Sequence, residues 1–229
     1  MKTECSSMDL SGVWHFEMAA KEDAGKFCET VKLPGSMDEN GKGIDNTANI
    51  SPTYLNRDHI YSGPAVYQRK IHIPAEWDGK SVILFLERTR KTRVWVDEAP
   101  VDSGQQKSYT TPHIYDLTGF VRAGEEHTLT VEVDNSPEGL PEAMYTTFEK
   151  DFPWGHMVSE HTQTNWNGIL GEMKLIAFPE VYIADLQIRP DTDRRTACVR
   201  ARIRRGRNQG ALDGVIELRA SSYNNEKMS

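Results

Sequence analysis

Ala65-Val66-Tyr67-Gln68-Arg69-Lys70-Ile71-His72-Ile73 decides the class of fold. Tyr67, Arg69, Ile71 and Ile73 fall on one side of an extended chain, and Val66, Gln68, Lys70 and His72 fall on the other. That is the period of a β-strand, with Gly63-Pro64 as a start signal just before it. The spacing recurs in both directions. Downstream, Ser81 to Leu86 is apolar at successive positions, as in a central strand covered on both faces. Residues 92–96 follow, then a turn at Asp97-Glu98-Ala99-Pro100. Tyr115-Asp116-Leu117-Thr118 and Gly119-Phe120-Val121 lead to Gly124, and Leu129, Val131 and Val133 alternate with Thr128, Thr130 and Glu132. Upstream, Trp14, Phe16 and Met18 oppose Val13, His15 and Glu17, which makes His15 an outward strand residue rather than a catalyst. A charged connection over 21–26 precedes a run in which Phe27, Glu29, Val31 and Leu33 oppose Cys28, Thr30 and Lys32. Short strands separated by turn residues, with no helix longer than a turn or two, argue for an all-β sandwich or barrel.

Two long irregular segments interrupt the strands, at 34–64 and 135–160. Structureless stretches of that length inside a compact domain are uncommon and often functional. The second carries Trp154 and ends in His161-Thr162-Gln163-Thr164-Asn165-Trp166-Asn167-Gly168-Ile169-Leu170-Gly171, just before the apolar run Met173 to Phe178. Two readings of this motif stand. An indole flanked by amides offers a sugar a flat apolar face together with donors and acceptors for its hydroxyls. Alternatively, Asn167-Gly168 is a turn entering a strand, with Trp166 as a core anchor. On the first reading Gln163, Thr164, Asn165, Trp166 and Asn167 are the candidate rim of a sugar site.

After Pro179 the pattern starts afresh. Val181, Ile183, Leu186 and Ile188 form one apolar set; Val199, Ala201 and Ile203 alternate with Arg200, Arg202 and Arg204; 215–218 is a third strand-like run. Three strands are too few for a sandwich of about seven, so residues 181–229 are expected to be the truncated start of a second domain. The arginines share one strand face, which is a solvated face rather than a nucleic-acid site.

Composition narrows the partners. A net charge of −7 with no dominant basic stripe argues against nucleic acid, and no apolar run approaches the roughly 20 residues of a membrane span. Met1 to Cys5 lacks the apolar core of a signal peptide, which leaves open an exported protein with its leader removed, periplasmic or extracellular, and a cytoplasmic one. Cys5, Cys28 and Cys198 form neither a disulfide framework nor a zinc motif, and Cys28 is expected to be a small buried or half-buried residue. His156 and His161, with Asp151 and Glu160 near, match no metal-ligand spacing, so no metal and no cofactor is expected.

Motifs in order give a resemblance. Leu33-Pro34-Gly35-Ser36, Tyr61 through Pro74 with Trp77, residues 92–98, Tyr109-Thr110-Thr111-Pro112 with Tyr115-Asp116-Leu117-Thr118, Gly124 through Asn135, and Asn165 through Ile169 resemble the N-terminal domain of glycoside hydrolase family 2. That family includes β-galactosidases, β-glucuronidases and β-mannosidases. The resemblance covers nearly all of residues 9–190 and implies a jelly-roll sugar-binding domain over 1–180, followed by the start of an immunoglobulin-like sandwich over 181–229. It implies a β-galactosidase-like parent whose two catalytic glutamates lie in a TIM barrel, where they act by a retaining mechanism. No βα alternation of a barrel occurs here. The chain is therefore expected to carry no catalytic residue and to be inactive alone, with Glu160 and Glu172 as structural or rim residues. It would brace the missing barrel and meet a β-linked glycoside only through the parent enzyme. The open edges of a partial second domain imply self-association. The family pattern is broken at Asp97-Glu98, where it has Asn-Gly, and at Gly171-Glu172, where many members carry Arg. It is also broken at Gln163, Thr164 and Asn165, where members that touch substrate use an acid, so the sugar does not carry over. An autonomous carbohydrate-binding module and a purely structural interdomain module are the alternatives.

Overall fold

A computed structural model describes residues 5–19, 27–48, 52, 55–102, 104–108, 110–136, 165–206 and 214–219. The described strands begin with Ser6–Asp9 (β1), Gly12–Glu17 (β2), Glu29–Leu33 (β3), Gly35–Ser36 (β4), Ile44–Asp45 (β5) and His59–Ile60 (β6). They continue with Pro64–His72 (β7), Ser81–Leu86 (β8), Lys91–Val96 (β9), Ala99–Pro100 (β10) and His113–Asp116 (β11). The last are Glu126–Asp134 (β12), Gly168–Ile169 (β13), Met173–Phe178 (β14), Val181–Asp191 (β15) and Thr196–Arg205 (β16). A single short 3₁₀ turn, Ala75–Trp77, is the helical content of the described residues.

The sheets form an all-β jelly-roll sandwich. One sheet runs β10-β9-β12-β7-β2-β3 and the other β1-β14-β8-β11. Their facing sides supply one core. Trp14, Phe16, Tyr67, Val94 and Leu129 come from the larger sheet, and Leu84, Leu86, Tyr115, Met173 and Leu175 come from the smaller. The period-2 reading places Trp14, Phe16, Tyr67 and Leu129 correctly, because alternate side chains of a strand leave opposite faces. Strand β12 pairs with both β7 and β9 along most of its length. Being central, it is buried on both faces, and its outward Thr130 and Glu132 are 1% exposed. Gln68 meets Thr130, and Arg93 meets Glu132, so the buried polar atoms keep partners.

The β9–β10 connection has the geometry of a type I′ hairpin although it lacks Asn-Gly. Asp97 and Glu98 both take positive φ, 46° and 70°. The Asp97 carboxylate accepts from the Thr128 backbone N–H and from His127 Nδ1. His127 Nε2 accepts from the Arg122 N–H, which leaves the ring proton on Nδ1 for Asp97. Anchoring by the side chain offsets the left-handed backbone that glycine would adopt freely.

Three sequence expectations are corrected. Cys28 is exposed, because it precedes β3 at the outer edge of its sheet. Met18 is 43% exposed, because it lies just past the end of β2. Residues 214–219 form no strand, and Val215, Ile216 and Leu218 are exposed; no ladder partner engages them among the described residues. The irregular segment 34–64 is pinned where it is described. Asn40 donates to Lys32 O and Ser36 O, Asp38 accepts from the His59 N–H, and β5 pairs with β6.

Candidate functional site

Asn165-Trp166-Asn167 lies across one end of the sandwich. Other pieces of chain meet it: Met37 after β4, Arg57, the start of β7 at Gly63, the end of β12 at Val133 to Asn135, and the start of β9 at Arg90. Gly168, next in line, has φ +135°, and a Cβ there would sit 2.3 Å from Gly35 O. The ladder between β13 and β4 therefore requires glycine at 168. Asn167-Gly168 is not a hairpin turn; it is the point where this segment closes onto β4.

Asn167 is 2% exposed, and its amide is fully engaged inside the protein. Oδ1 accepts from Tyr67 Oη at 2.8 Å. Nδ2 donates to Val133 O at 2.9 Å, Gly63 O at 3.0 Å and Asn135 Oδ1 at 3.3 Å. Asn135 completes the knot. Its Oδ1 accepts from the Gly63 N–H, and its Nδ2 donates to Tyr61 O and Asn165 O. Burial raises the Tyr67 phenol well above its ordinary value, with Tyr61 adding to the effect, so Tyr67 stays a neutral donor. These amides tie three chain segments that are 30 to 104 residues apart in sequence. Such buried side chains hold shape and leave no donor for a sugar.

Trp166 is different. It is half-buried, with its carbonyl accepting from Arg90 Nε at 3.2 Å and its ring covered by the Arg90 guanidinium at 4.1 Å from the centroid. Arg90 is itself 2% exposed, so this cation–π contact is a desolvated one. The indole N–H of Trp166 has no hydrogen-bond partner among the described residues. Arg57 donates to Asn165 O at 2.9 Å, fixing the residue before it. Behind Arg90, Lys91 pairs with Asp134 at 2.7 Å and donates to Ser136 Oγ. Burial alone would raise the Asp134 carboxyl, but hydrogen bonds from Lys91 and Ser136 hold it below its ordinary value.

A second buried relay continues along β9. His113 Nε2 donates to Ser108 O at 2.7 Å, so Nδ1 accepts from Thr92 Oγ1, which also meets Tyr115 Oη at 2.7 Å. Burial pushes the Tyr115 phenol up to about 12.

Among the expected rim residues, Trp166 alone combines an aromatic face with an unengaged donor. Asn165 is buried, Asn167 is a brace, and Gln163 and Thr164 lie outside the described residues, as do Trp154, His156, Glu160 and His161. Glu172 is exposed and bonded to Lys174. Arg90, Arg57 and Asn135 were not among the sequence candidates. The signal for Arg90 was the basic run Arg88-Thr89-Arg90-Lys91 between two apolar strands, where solvated charges alone would be unremarkable.

Residues 8–179 match the family model described as glycosyl hydrolases family 2, sugar binding domain. The chain belongs to this family. Solved structures agree on the fold. The β-D-glucuronidase of Dictyoglomus thermophilum is 20% identical with a TM-score of 0.59, over 90% of this chain and 33% of that one. The β-glucuronidase of Faecalibacterium prausnitzii is 22% identical with a TM-score of 0.59, over 88% and 36%. That of Ruminococcus gnavus is 16% identical with a TM-score of 0.59, over 89% and 33%. The chain thus spans about a third of the length of these glycosidases.

Proposed function

We propose that this family 2 domain is the non-catalytic N-terminal part of a retaining β-glycosidase, bracing a TIM barrel and lending Trp166 to the rim of its active site. The observation that carries this reading is the Trp166 geometry: an indole clamped by Arg90 with its N–H unengaged among the described residues. A clamped indole can cover the C–H face of a sugar and donate one hydrogen bond without moving. Gln163, Thr164 and Asn165 belong to the same rim in this proposal, and Asn167 supports it from behind. Residues 1–180 act as the sugar-binding unit, and 181–229 begin an immunoglobulin-like unit.

The expected parent is β-galactosidase-like although the motifs do not carry the sugar over, and the names of the solved neighbours add β-glucuronides as a substrate class. Two assays test the proposal. This chain, given nitrophenyl β-galactoside, β-mannoside and β-glucuronide, turns over none of them; saturable turnover would defeat the non-catalytic role. In the whole glycosidase, Trp166→Ala raises KM for the preferred glycoside several-fold with kcat nearly held, and an unchanged KM removes Trp166 from the rim. The alternative of an autonomous sugar-binding module rests on the same unengaged indole. Calorimetric titration of this chain with β-galactosides and β-mannosides decides it, because saturable binding lost in Trp166→Ala favours that reading.

A further inference from the structure

The outer face of the smaller sheet is not the polar surface that a solvated sandwich face normally presents. Ile83 and Phe85 of β8, Ile114 of β11, and Ile176 and Phe178 of β14 all point away from the core and line a cleft of about 390 Å³. The β15–β16 hairpin forms its other wall. Tyr182 stacks on Phe178 with centroids 4.5 Å apart and planes 18° apart, closing one end. Arg202 and Arg204 complete the lining from β16. Both are exposed, and neither makes an ion pair among the described residues, although Arg205 beside them pairs with Glu180 and Asp185 lies across the ladder from Arg202. Arg204 and Tyr182 also line an adjoining, more polar cleft of about 430 Å³ that contains Ser81, Asp116 and Thr118.

Volume and chemistry together select a class of occupant. The size is that of a small-molecule site. Among the described lining residues the surface is aromatic and branched aliphatic, with no side-chain amide and the Tyr182 hydroxyl as its one neutral polar group. Among the described lining residues the charge is that of the two guanidiniums, in a chain whose net charge is −7, while Lys174, over the Phe85 ring, is paired with Glu172. Asp116 is in the adjoining cleft, where its Oδ1 is taken up by the Thr118 backbone N–H and Oγ1, and Asp185, opposite Arg202 in the ladder, accepts from Gln187 Nε2.

We propose that this cleft binds an amphipathic monoanion, an aliphatic or aromatic carboxylate whose chain lies on Phe85, Ile176 and Phe178 and whose carboxylate meets Arg202 and Arg204. The site is separate from the Trp166 rim, with no residue in common, and does not depend on what sugar the protein handles. An occupant there bridges the sandwich and the hairpin, so binding ties together two units that also meet where Tyr182 stacks on Phe178.

Decanoate below its micelle concentration is the probe, titrated into the 229-residue chain by calorimetry, with decanol as the neutral control. Decanoate binds saturably, and added salt weakens it. The double variant Arg202→Ala/Arg204→Ala weakens it about tenfold, as expected for losing a charge-assisted hydrogen bond. Ile114→Asp, at an outward position 55% exposed, abolishes it while leaving the thermal melt unchanged. The proposal is overturned if decanol binds as tightly as decanoate, if the double variant binds decanoate like the parent, or if no saturable binding occurs. Sedimentation is the independent check: a dimer that Ile114→Asp dissociates makes the cleft an interface between two copies and overturns the ligand site.

Discussion

The sandwich and the β15–β16 hairpin carry the same alternating pattern and meet opposite fates. Val31, Leu33, Val94, Val96, Leu129 and Val131 are buried to 4% or less. Ile183, Leu186, Ile188, Val199 and Ile203 are brought to one side as well, with a register shift between Ile183 and Asp185, yet are 37% to 61% exposed. The cross-strand pairs Ile183–Ile203, Leu186–Ala201 and Ile188–Val199 put them together on one face of a two-stranded sheet, and no second sheet covers that face among the described residues. Periodicity states which side of a strand is apolar. Whether that side is worth anything in stability depends on a facing layer, since a two-stranded hairpin alone is marginal in water.

Truncating matched side chains tests this difference most strongly. Trp14→Ala, at the centre of the sandwich core, destabilises by about 3–5 kcal/mol in urea unfolding. Asn167→Ala follows at about 2–3 kcal/mol, because Val133 O, Gly63 O and Tyr67 Oη lose partners in a buried site. A much smaller loss there would mean that water replaces the amide.

Acid distinguishes the regions next. Burial pushes the His113 imidazole below its ordinary value, although its bond to Ser108 O pulls the other way. In the folded sandwich the ring is neutral, while the unfolded chain binds a proton near pH 6.5. The unfolded state therefore holds more protons below that pH, so stability is full above about 6.5 and declines as pH falls toward the lower folded value. His113→Gln, whose amide can still accept from Thr92 and donate to Ser108, flattens the urea midpoint across that window. Asp134 and Asp97 are also held low, and their contributions are lost further down, below about pH 4.

Smaller effects extend the contrast. Glu98→Gly relieves a positive φ of 70° and stabilises the sandwich by about 0.5–1 kcal/mol. Arg195 has φ 53° in the β15–β16 turn, and its change to Gly leaves the sandwich transition unmoved because the hairpin does not share that core. Ile188→Ala, at 61% exposure, changes the same transition by less than about 0.5 kcal/mol. A larger loss would show that another layer covers the hairpin in solution.

The sandwich was largely legible from the chain, and the site only in part. The strands around Tyr67 and Val131 were readable from a period of 2 in composition, and the strand around Leu84 from an apolar run bounded by turn residues. Trp166 stood out by residue type. Asn167 looked like a sugar ligand for the same reason, yet its amide serves Tyr67, Gly63 and Val133, partners that sequence distance hides. Arg90 left only a weak signal, since a basic residue in a charged run is ordinarily solvated, whereas here it is buried against the indole.

The β class, the faces of the strands and the family follow from the amino-acid order without coordinates, because alternation and turn chemistry are local and repeat along the chain. Only the folded arrangement makes Asn167 a brace, clamps Trp166 and lets Asp97 stand where a turn favours Asn. It also makes one apolar strand pair core and leaves another open. Each outcome depends on which distant atoms arrive beside a residue, and a hydrogen bond or a buried face exists only when both partners do.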